Sequence, residues 1–344
     1  MELGNMMEYF ENKTILITGG AGFIAKIFVE KILRTQPNVK KLYLLLRASD
    51  CKSAQQRIQT EVIDKELFRL LREKWGKEFD CFIWERVEAV AGDIADENLL
   101  GIKNANLREE MLKNIDIIVN CAATTDFYDR YDVSLAINTM GVLNILSFAK
   151  KCINLKMLLH LSTAYVCGER EGIIAEKGCE FGETLSETLT KLDFKIENEL
   201  AAHKLSQLQK IEASEATINT TMKDFGIERL CLNQSIVITI PGWIEGLRTM
   251  DTLIAGFGKG KVPCFLGRPT YIIDMIPADM VVNSMIVAMV YGESGTIYQI
   301  GSSMRNPLYV SNIHNYAFHY FTKNPLIDKD ENPIKVSKVT VLHH

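Results

Sequence analysis

Closely spaced glycines at residues 19–25 are the clearest chemical signal in this sequence. They follow the β-branched segment Thr14–Thr18 and precede a helix-periodic segment, 22–34. A dinucleotide pyrophosphate needs a tight turn, a backbone without a Cβ in its path and a helix N-terminus aimed at it. The order of strand, glycine turn and helix therefore predicts a dinucleotide-binding turn. Its predicted cofactor-binding residues are Thr18, Gly19, Gly20, Gly22, Phe23, Ile24 and Ala25.

Arg47 ends the second predicted strand, 41–47 (KLYLLLR), where NAD-specific enzymes place an acid for the ribose hydroxyls. A guanidinium at this place suits a 2′-phosphate, because its planar fork can bind an oxyanion bidentately. The alternative is a solvated arginine at the end of a strand. We expect the cofactor to be NADPH.

Two further segments after predicted strands are candidates for cofactor contact. Asp93 and Ile94 follow the strand Val87–Ala91, where a carboxylate can meet the adenine amino group; a plain turn aspartate is the alternative. Cys121, Ala122 and Ala123 follow the strand at 116–121 (DIIVNC), and their small side chains suit a backbone that passes a cofactor.

Thr163 is the candidate catalytic residue. It lies in the run Leu-Ser-Thr-Ala-Tyr-Val-Cys-Gly at 161–168, which ends the predicted fifth strand, 157–162 (MLLHLS). A hydroxyl at the carboxyl end of a central strand can donate a hydrogen bond to a substrate carbonyl.

The elements that must position these residues alternate between strand-like and helix-like segments, which indicates βαβ units. Near-continuous apolar strands are typical of a sheet covered on both faces. We expect an α/β fold: a Rossmann-type doubly wound parallel sheet with a small substrate-side subdomain. Helices are predicted at 54–74, from about 135 to 151, and over 183–223 as one solvated helix on the domain edge.

The predicted domain organisation is an NADP-binding reductase domain over 8–300 and a loosely attached C-terminal tail over 301–344. Within the first, we expect a helical insert at 168–228 and a substrate-side segment at 241–275.

Composition excludes several classes of function. A formal net charge of −4 over 344 residues offers no field for nucleic acid. The eight cysteines form no C-x-x-C pair, so neither a metal site nor a redox motif is predicted, and they suit a reducing compartment. The short acidic lead-in is unlike a transit peptide, and we expect no transmembrane helix. We therefore expect a cytoplasmic protein whose membrane contact, if any, is peripheral, at the endoplasmic reticulum.

Several motifs together resemble a known family. T-G-x-x-G-x-x-A at 18–25, G-D-I at 92–94, S-T-A-Y-V at 162–166 and I-P-A-D-M at 276–280 resemble the extended short-chain dehydrogenases/reductases. P-G-W-I-E-G at 241–246, G-K-G-K at 258–261 and the runs at 41–47 and 71–76 resemble the plant alcohol-forming fatty acyl-CoA reductases. The resemblance extends from residue 8 to about 340.

The resemblance implies reduction of a long-chain fatty acyl-CoA by two successive hydride transfers from NADPH, giving a primary fatty alcohol. It implies a catalytic Ser or Thr, matched by Thr163, with a Tyr-x-x-x-Lys pair on the next helix. This sequence departs from that pattern, since no tyrosine lies between Tyr165 and Tyr271 and the only Tyr-x-x-x-Lys is Tyr9/Lys13.

Against the family's order of elements, the catalytic helix and most of the sixth strand are expected to be deleted between 226 and 241, where 230–240 is β-rich enough to replace the strand. The chain also ends where relatives continue into a helical domain. Two alternatives stay open: an inactive relative that binds NADP or a partner, and a sugar-nucleotide epimerase of the same superfamily, which does not explain P-G-W-I-E-G.

Overall fold

Five parallel strands form the central sheet of the protein. A computed structural model of the chain describes residues 3–125, 129–163, 176, 193–229, 249–262 and 268–337. The strands are β1 (Thr14–Thr18), β2 (Lys41–Leu46), β3 (Val87–Ala91), β4 (Ile117–Asn120) and β5 (Met157–His160). Each strand agrees within two residues with its sequence prediction. The order of the strands across the sheet is β3-β2-β1-β4-β5. The predicted Rossmann-type α/β fold is confirmed.

Helices surround the sheet and are numbered in chain order. Short π and 3₁₀ turns join some of them. The α-helices are α1 (Leu3–Glu8), α2 (Phe23–Thr35), α3 (Cys51–Ile58), α4 (Arg69–Trp75), α5 (Phe79–Arg86), α6 (Ala105–Asn114), α7 (Tyr131–Leu135), α8 (Gly141–Ala149), α9 (Phe194–Lys210), α10 (Glu215–Arg229), α11 (Thr249–Gly258), α12 (Ala278–Tyr291) and α13 (Val310–Lys323).

The inner strands are buried on both faces, as the apolar runs predicted. On one face Leu16 of β1 and Ile118 of β4 share a core cluster with Met111 of α6 and Phe148 of α8. The alternate residues of β1, including Ile17, are equally inaccessible to solvent. Strand β5 differs, because its residues are only half-buried or exposed and it forms one edge of the sheet within the described residues.

The helix predicted over 54–74 is divided into shorter pieces, so that prediction is wrong in detail. A capping box of Asp50 and Ser53 starts α3 three residues earlier than predicted. A π turn, Gln59–Ile63, then ends this helix before α4 begins. The break is stabilised by Arg72, whose Nη2 donates to the carbonyl oxygens of Ile63 (2.6 Å) and Lys65 (2.9 Å). A bond from a side chain to a carbonyl several residues earlier leaves no mark in helical periodicity.

The segment 183–223 also differs from its prediction. Its part up to residue 192 lies outside the described residues, and the rest forms two helices, α9 and α10, instead of one. Ser214 caps α10, its Oγ accepting from the Thr217 amide at 3.2 Å, which explains the break. Nor is the segment simply solvated, because Ala201, Leu208, Ile218 and Met222 form a buried cluster with Tyr131 and Leu135.

One helical segment, Tyr131–Ala149, is long and apolar enough by length and composition to cross a bilayer, among the residues that the structure describes. The sequence analysis, by contrast, predicts no transmembrane helix. A helix that covers a parallel sheet meets the same criteria, and Ile145 and Phe148 of this one are buried in the core beside β4.

The chain divides into two units, Met1–Gln234 with Val282–Tyr298, and Ser235–Val281 with Gln299–His344. In the second unit, β6 (Ile272–Ile273) pairs antiparallel with β7 (Leu308–Tyr309). The segment expected to be a tail contributes α13 to this unit, and its Ala317 and Phe321 are buried with Phe257. The predicted boundaries at 168–228 and 241–275 remain expectations, since much of both segments lies outside the described residues.

Candidate active site

The predicted dinucleotide turn lies at the carboxyl end of β1 and leads into α2. Gly19 to Gly22 form the turn, and Gly22 is the N-cap of the helix. The Gly22 amide donates to the Gly19 carbonyl oxygen at 2.6 Å, and the Gly20 amide donates to that of Leu45 in β2 at 3.0 Å. The first turn of any α-helix leaves amides without intrahelical acceptors. The positive end of the α2 dipole therefore favours an anion at this edge of the sheet.

Glycine is required at position 19 for two reasons. Its φ is +64°, a left-handed conformation that side chains rarely adopt, and a Cβ there would lie 2.9 Å from the Cα of Ala122. The turn after β1 and the segment after β4 thus touch backbone to backbone. This is the point where the strand order reverses, since β2 and β4 flank β1, and such a switch point is where open α/β sheets bind ligands.

A row of hydrogen bonds joins the carboxyl ends of three strands. Thr18 Oγ1 accepts from the Ala122 amide (3.1 Å) and donates to Asn120 Oδ1 (2.5 Å). Asn120 Nδ2 lies 3.0 Å from Nδ1 of His160, its register partner in β5. Thr18 and Asn120 are fully buried, so these bonds satisfy polar groups that would otherwise be costly to bury. Sequence reasoning missed Asn120 and His160. Each is a polar residue at the end of an apolar strand, and this pattern could have marked both as candidate site residues.

The segment after β4 is held from a second side by Asn138, another residue that sequence reasoning missed. Asn138 lies in a π turn, Ala136–Met140, between α7 and α8. Its amide group accepts from the Thr124 backbone nitrogen (2.9 Å) and donates to the Thr124 oxygen (3.0 Å). Burial raises the pKa of the Cys121 thiol to about 12, so this cysteine is a neutral small residue and not a nucleophile.

The remaining predicted cofactor residues, Arg47, Asp93 and Ile94, differ in which of their atoms can contact a ligand. Arg47 follows β2 directly with an exposed side chain, while its carbonyl oxygen accepts from Arg57 at 2.5 Å. Asp93 Oδ1 accepts from the Ala95 amide at 2.9 Å, which is the bond expected of a plain turn aspartate. A carboxylate has two acceptor oxygens, so Oδ2 can still accept from a ligand. The Ile94 side chain is buried in the core, so only its backbone could contact a ligand.

Thr163 lies three residues beyond the end of β5 and is exposed. Parallel strands bring their carboxyl ends to one edge of the sheet, so Thr163 follows the same edge as the glycine turn and Ala122. A hydroxyl here can orient and polarise a carbonyl group. The residues from 164 to 175, including Tyr165, lie outside the described residues.

The geometry of the turn and its neighbours fits a nicotinamide dinucleotide. The turn excludes a Cβ at position 19, a 13-residue helix directs its N-terminus to the same edge, and small residues follow β4. All three features match what the pyrophosphate of such a cofactor requires.

Comparison with known proteins identifies the chain. A family model described as male sterility protein matches residues 17–285. The chain is 47% identical to probable fatty acyl-CoA reductase 5 of Arabidopsis thaliana, over 98% of this chain and 76% of the relative. It is 46% identical to the alcohol-forming fatty acyl-CoA reductase of Simmondsia chinensis, over 99% of this chain and 77% of that protein. The chain belongs to the fatty acyl-CoA reductases. The alternative of a sugar-nucleotide epimerase is thereby excluded.

The same alignments show that this fatty acyl-CoA reductase is internally shorter than its relatives. The Arabidopsis alignment runs over 379 residues, whereas 98% of the 344 residues of this chain amounts to about 337. The Simmondsia alignment runs over 381, against about 341 residues of this chain. About 40 aligned positions thus have no counterpart here, which supports the expected internal deletion. A helix and a strand with their loops would account for about 20–30 of them.

The only Tyr-x-x-x-Lys of this reductase, Tyr9/Lys13, belongs to the opposite edge of the sheet. Lys13 directly precedes β1, whose Thr14 amide donates to Asp116 before β4, and Asp116 pairs with Lys156 before β5 at 3.0 Å. These residues mark the amino ends of the strands, whereas Thr163 follows a carboxyl end. Burial also raises the pKa of Tyr9, which is the reverse of the shift that a proton-donating tyrosine needs.

Solved structures support the fold. The reductase domain of a non-ribosomal peptide synthetase from Mycobacterium tuberculosis covers 97% of this chain, with 77% of that chain matched, at a TM-score of 0.58 and 16% identity. dTDP-glucose 4,6-dehydratase from Bacillus anthracis, solved in complex with NAD, covers 96% of this chain and 85% of its own at a TM-score of 0.52 and 17% identity.

Proposed function

We propose that this fatty acyl-CoA reductase binds NADPH at the 19–25 turn and reduces a long-chain fatty acyl-CoA to a primary fatty alcohol. The observation that carries the proposal is the turn itself, joined to a reductase family whose Simmondsia member is named alcohol-forming. NADPH supplies a hydride, and this chain's residues supply binding and orientation.

The cofactor preference rests on Arg47. Its exposed side chain follows β2, next to the strand that ends in the glycine turn, and a 2′-phosphate is a dianion that a guanidinium can bind bidentately. The amides at the α2 N-terminus provide for the pyrophosphate. The segment 121–123 and Asp93 provide small and acidic groups for the rest of the cofactor.

The acyl carbonyl is oriented by Thr163. A hydroxyl donates one hydrogen bond to the oxyanion that forms when hydride reaches the thioester carbon, but it is a poor proton source at neutral pH. The family's Tyr-x-x-x-Lys pair supplies that proton, and general acid catalysis contributes about 10²–10⁴-fold. This chain has no tyrosine between Tyr165 and Tyr271. We therefore propose that its turnover is slower than that of relatives that carry the pair.

The test is NADPH oxidation by the purified chain with a C16 or C18 acyl-CoA, with the fatty alcohol identified as product by mass spectrometry. Turnover that Thr163→Val abolishes and Thr163→Ser retains would support the proposal. NADPH binding without any alcohol or aldehyde product would instead support a relative that binds the cofactor only. Failure of the chain to bind either nicotinamide cofactor would contradict the proposal.

A further inference from the structure

His160 ends the row of hydrogen bonds that crosses the carboxyl edge of the sheet. The row runs from the Ala122 amide through Thr18 and Asn120 to the imidazole Nδ1. Each side chain belongs to a different strand, and the three positions are in register: Thr18 pairs with Asn120, and Asn120 pairs with His160. Three of the segments expected to contact cofactor or substrate begin within three residues of one member: the glycine turn, the segment 121–123 and Thr163.

The donors and acceptors determine the direction of the bonds. Thr18 Oγ1 already accepts from the Ala122 amide, so its hydroxyl hydrogen donates to the atom of Asn120 that faces it. That atom is therefore the oxygen. Its Nδ2 then faces His160 at 3.0 Å as a donor, so the imidazole Nδ1 must accept.

Only one form of the imidazole can accept at Nδ1, the neutral tautomer with its proton on Nε2. An imidazolium would present N–H to the Asn120 N–H₂. Although His160 is exposed as a residue, partial desolvation of its ring lowers its pKa, which favours the same neutral form.

We infer that His160 is a positioning residue for the cofactor site, acting through Asn120 and Thr18. Without an acceptor at Nδ1, the buried Asn120 amide turns to seek another partner, and Thr18 loses the oxygen to which it donates. Thr18 then no longer holds the Ala122 amide against Gly19, where the two backbones touch. At the same time the segment from Leu161 to Thr163 loses the side-chain link of His160 to β4, while the backbone bond from the Leu161 amide to Asn120 is kept.

The test compares three substitutions at one position in the full chain. His160→Asn places an amide oxygen near the Nδ1 position, His160→Gln places its polar atoms near Nε2, and His160→Leu removes the acceptor. His319→Leu is the matched control, because His319 is an exposed histidine on α13 that bonds its own helix. The measurements are NADPH dissociation constants by calorimetry, melting temperatures, and hydrogen exchange of peptides covering 117–124 and 157–163.

This inference rests on the proposed cofactor binding, and we expect His160→Leu and His160→Gln to raise the NADPH dissociation constant about tenfold. His160→Asn should remain within about twofold of the wild type, since its acceptor is restored. Faster exchange in both peptides should accompany the loss of affinity, and His319→Leu should change neither.

Either of two affinity results would overturn the inference. Equal NADPH affinity in all three His160 variants would show that the row does not position the site, and so would equal loss in His160→Asn and His160→Leu. If the wild type binds no nicotinamide cofactor, the proposed function fails by itself. The exchange data still decide the inference in that case, because unchanged exchange of both peptides in His160→Leu contradicts it.

Discussion

The glycine turn and the β5 edge belong to the same ligand-binding side of the sheet, yet they differ in how completely they are built. The turn is flanked by β2 and β4, has the amides of Gly20 and Gly22 in defined hydrogen bonds and contacts Ala122 with no room for a Cβ. The β5 edge carries half-buried residues and an exposed Thr163. About 40 positions of the relatives have no counterpart in this chain. We propose that cofactor binding and proton supply are separable parts of this fold, and that the turn is the more completely built of the two.

Restoring the segment that relatives possess should have the largest effect. Grafting a helix that carries the family's Tyr-x-x-x-Lys pattern into the expected deletion at 226–241 should raise turnover about 10²–10⁴-fold, since it would supply a general acid. The matched control is the same graft with phenylalanine in place of that tyrosine. A wild-type chain that already turns over as fast as the graft would contradict the idea of an incomplete catalytic part.

Gly19→Ala should weaken cofactor binding at the glycine turn. We expect NADPH affinity to fall at least about 100-fold and the free energy of unfolding to fall by about 2–4 kcal/mol, because strain at positive φ adds to a clash with the Ala122 backbone. Gly76→Ala is the matched control, since Gly76 has φ +50° but a Cβ added there would meet nothing within 4 Å. It should cost about 1–3 kcal/mol, because φ +50° with ψ −120° is a conformation that glycine adopts far more readily than alanine, and it should leave affinity unchanged. Calorimetry and urea unfolding measure both quantities, and equal effects at the two glycines would refute the predicted close approach.

Arg47→Ala tests which cofactor the turn receives. Loss of a charge-assisted contact to the 2′-phosphate should weaken NADPH binding about 10–100-fold and leave NADH binding unchanged. Arg69→Ala, at an exposed arginine of α4 that pairs with Glu66 and Glu73, is the control. Equal affinity of the wild-type chain for NADPH and NADH in calorimetric titrations would remove the basis for the preference.

The smallest predicted effect concerns acid stability. Burial lowers the folded-state pKa of His160 below that of the unfolded chain, about 6.5. The unfolded state therefore binds more protons between the two values, and stability is lost as the pH falls below about 6.5. Because His160 is exposed as a residue, solvent screens this effect. The melting temperature should therefore decrease only slightly between pH 7 and pH 5, and less so in His160→Asn. Identical pH profiles for the two proteins would show that His160 does not titrate in this range.

Local patterns predicted the cofactor half of the molecule well. Strand β1, the turn and helix α2 are adjacent in sequence, so their order alone indicated where Gly19 would lie and why it must be glycine. Parallel strands buried on both faces read as continuous apolar runs, and this is why the five strands were found within two residues of their ends. Family membership followed from short motifs such as P-G-W-I-E-G and is confirmed by relatives at 47% and 46% identity.

Other features were missed by helical periodicity or decided only by tertiary structure. Ser214 divides the helix predicted over 183–223 as a local N-cap, which periodicity does not reveal. Arg72 breaks the helix predicted over 54–74 by binding carbonyl groups in the preceding turn. Thr18, Asn120 and His160 are separated by 102 and 40 residues along the chain. Only the register of three parallel strands brings them into one row. A sequence specifies which residues can form such bonds, but the pairing of strands determines which of them meet.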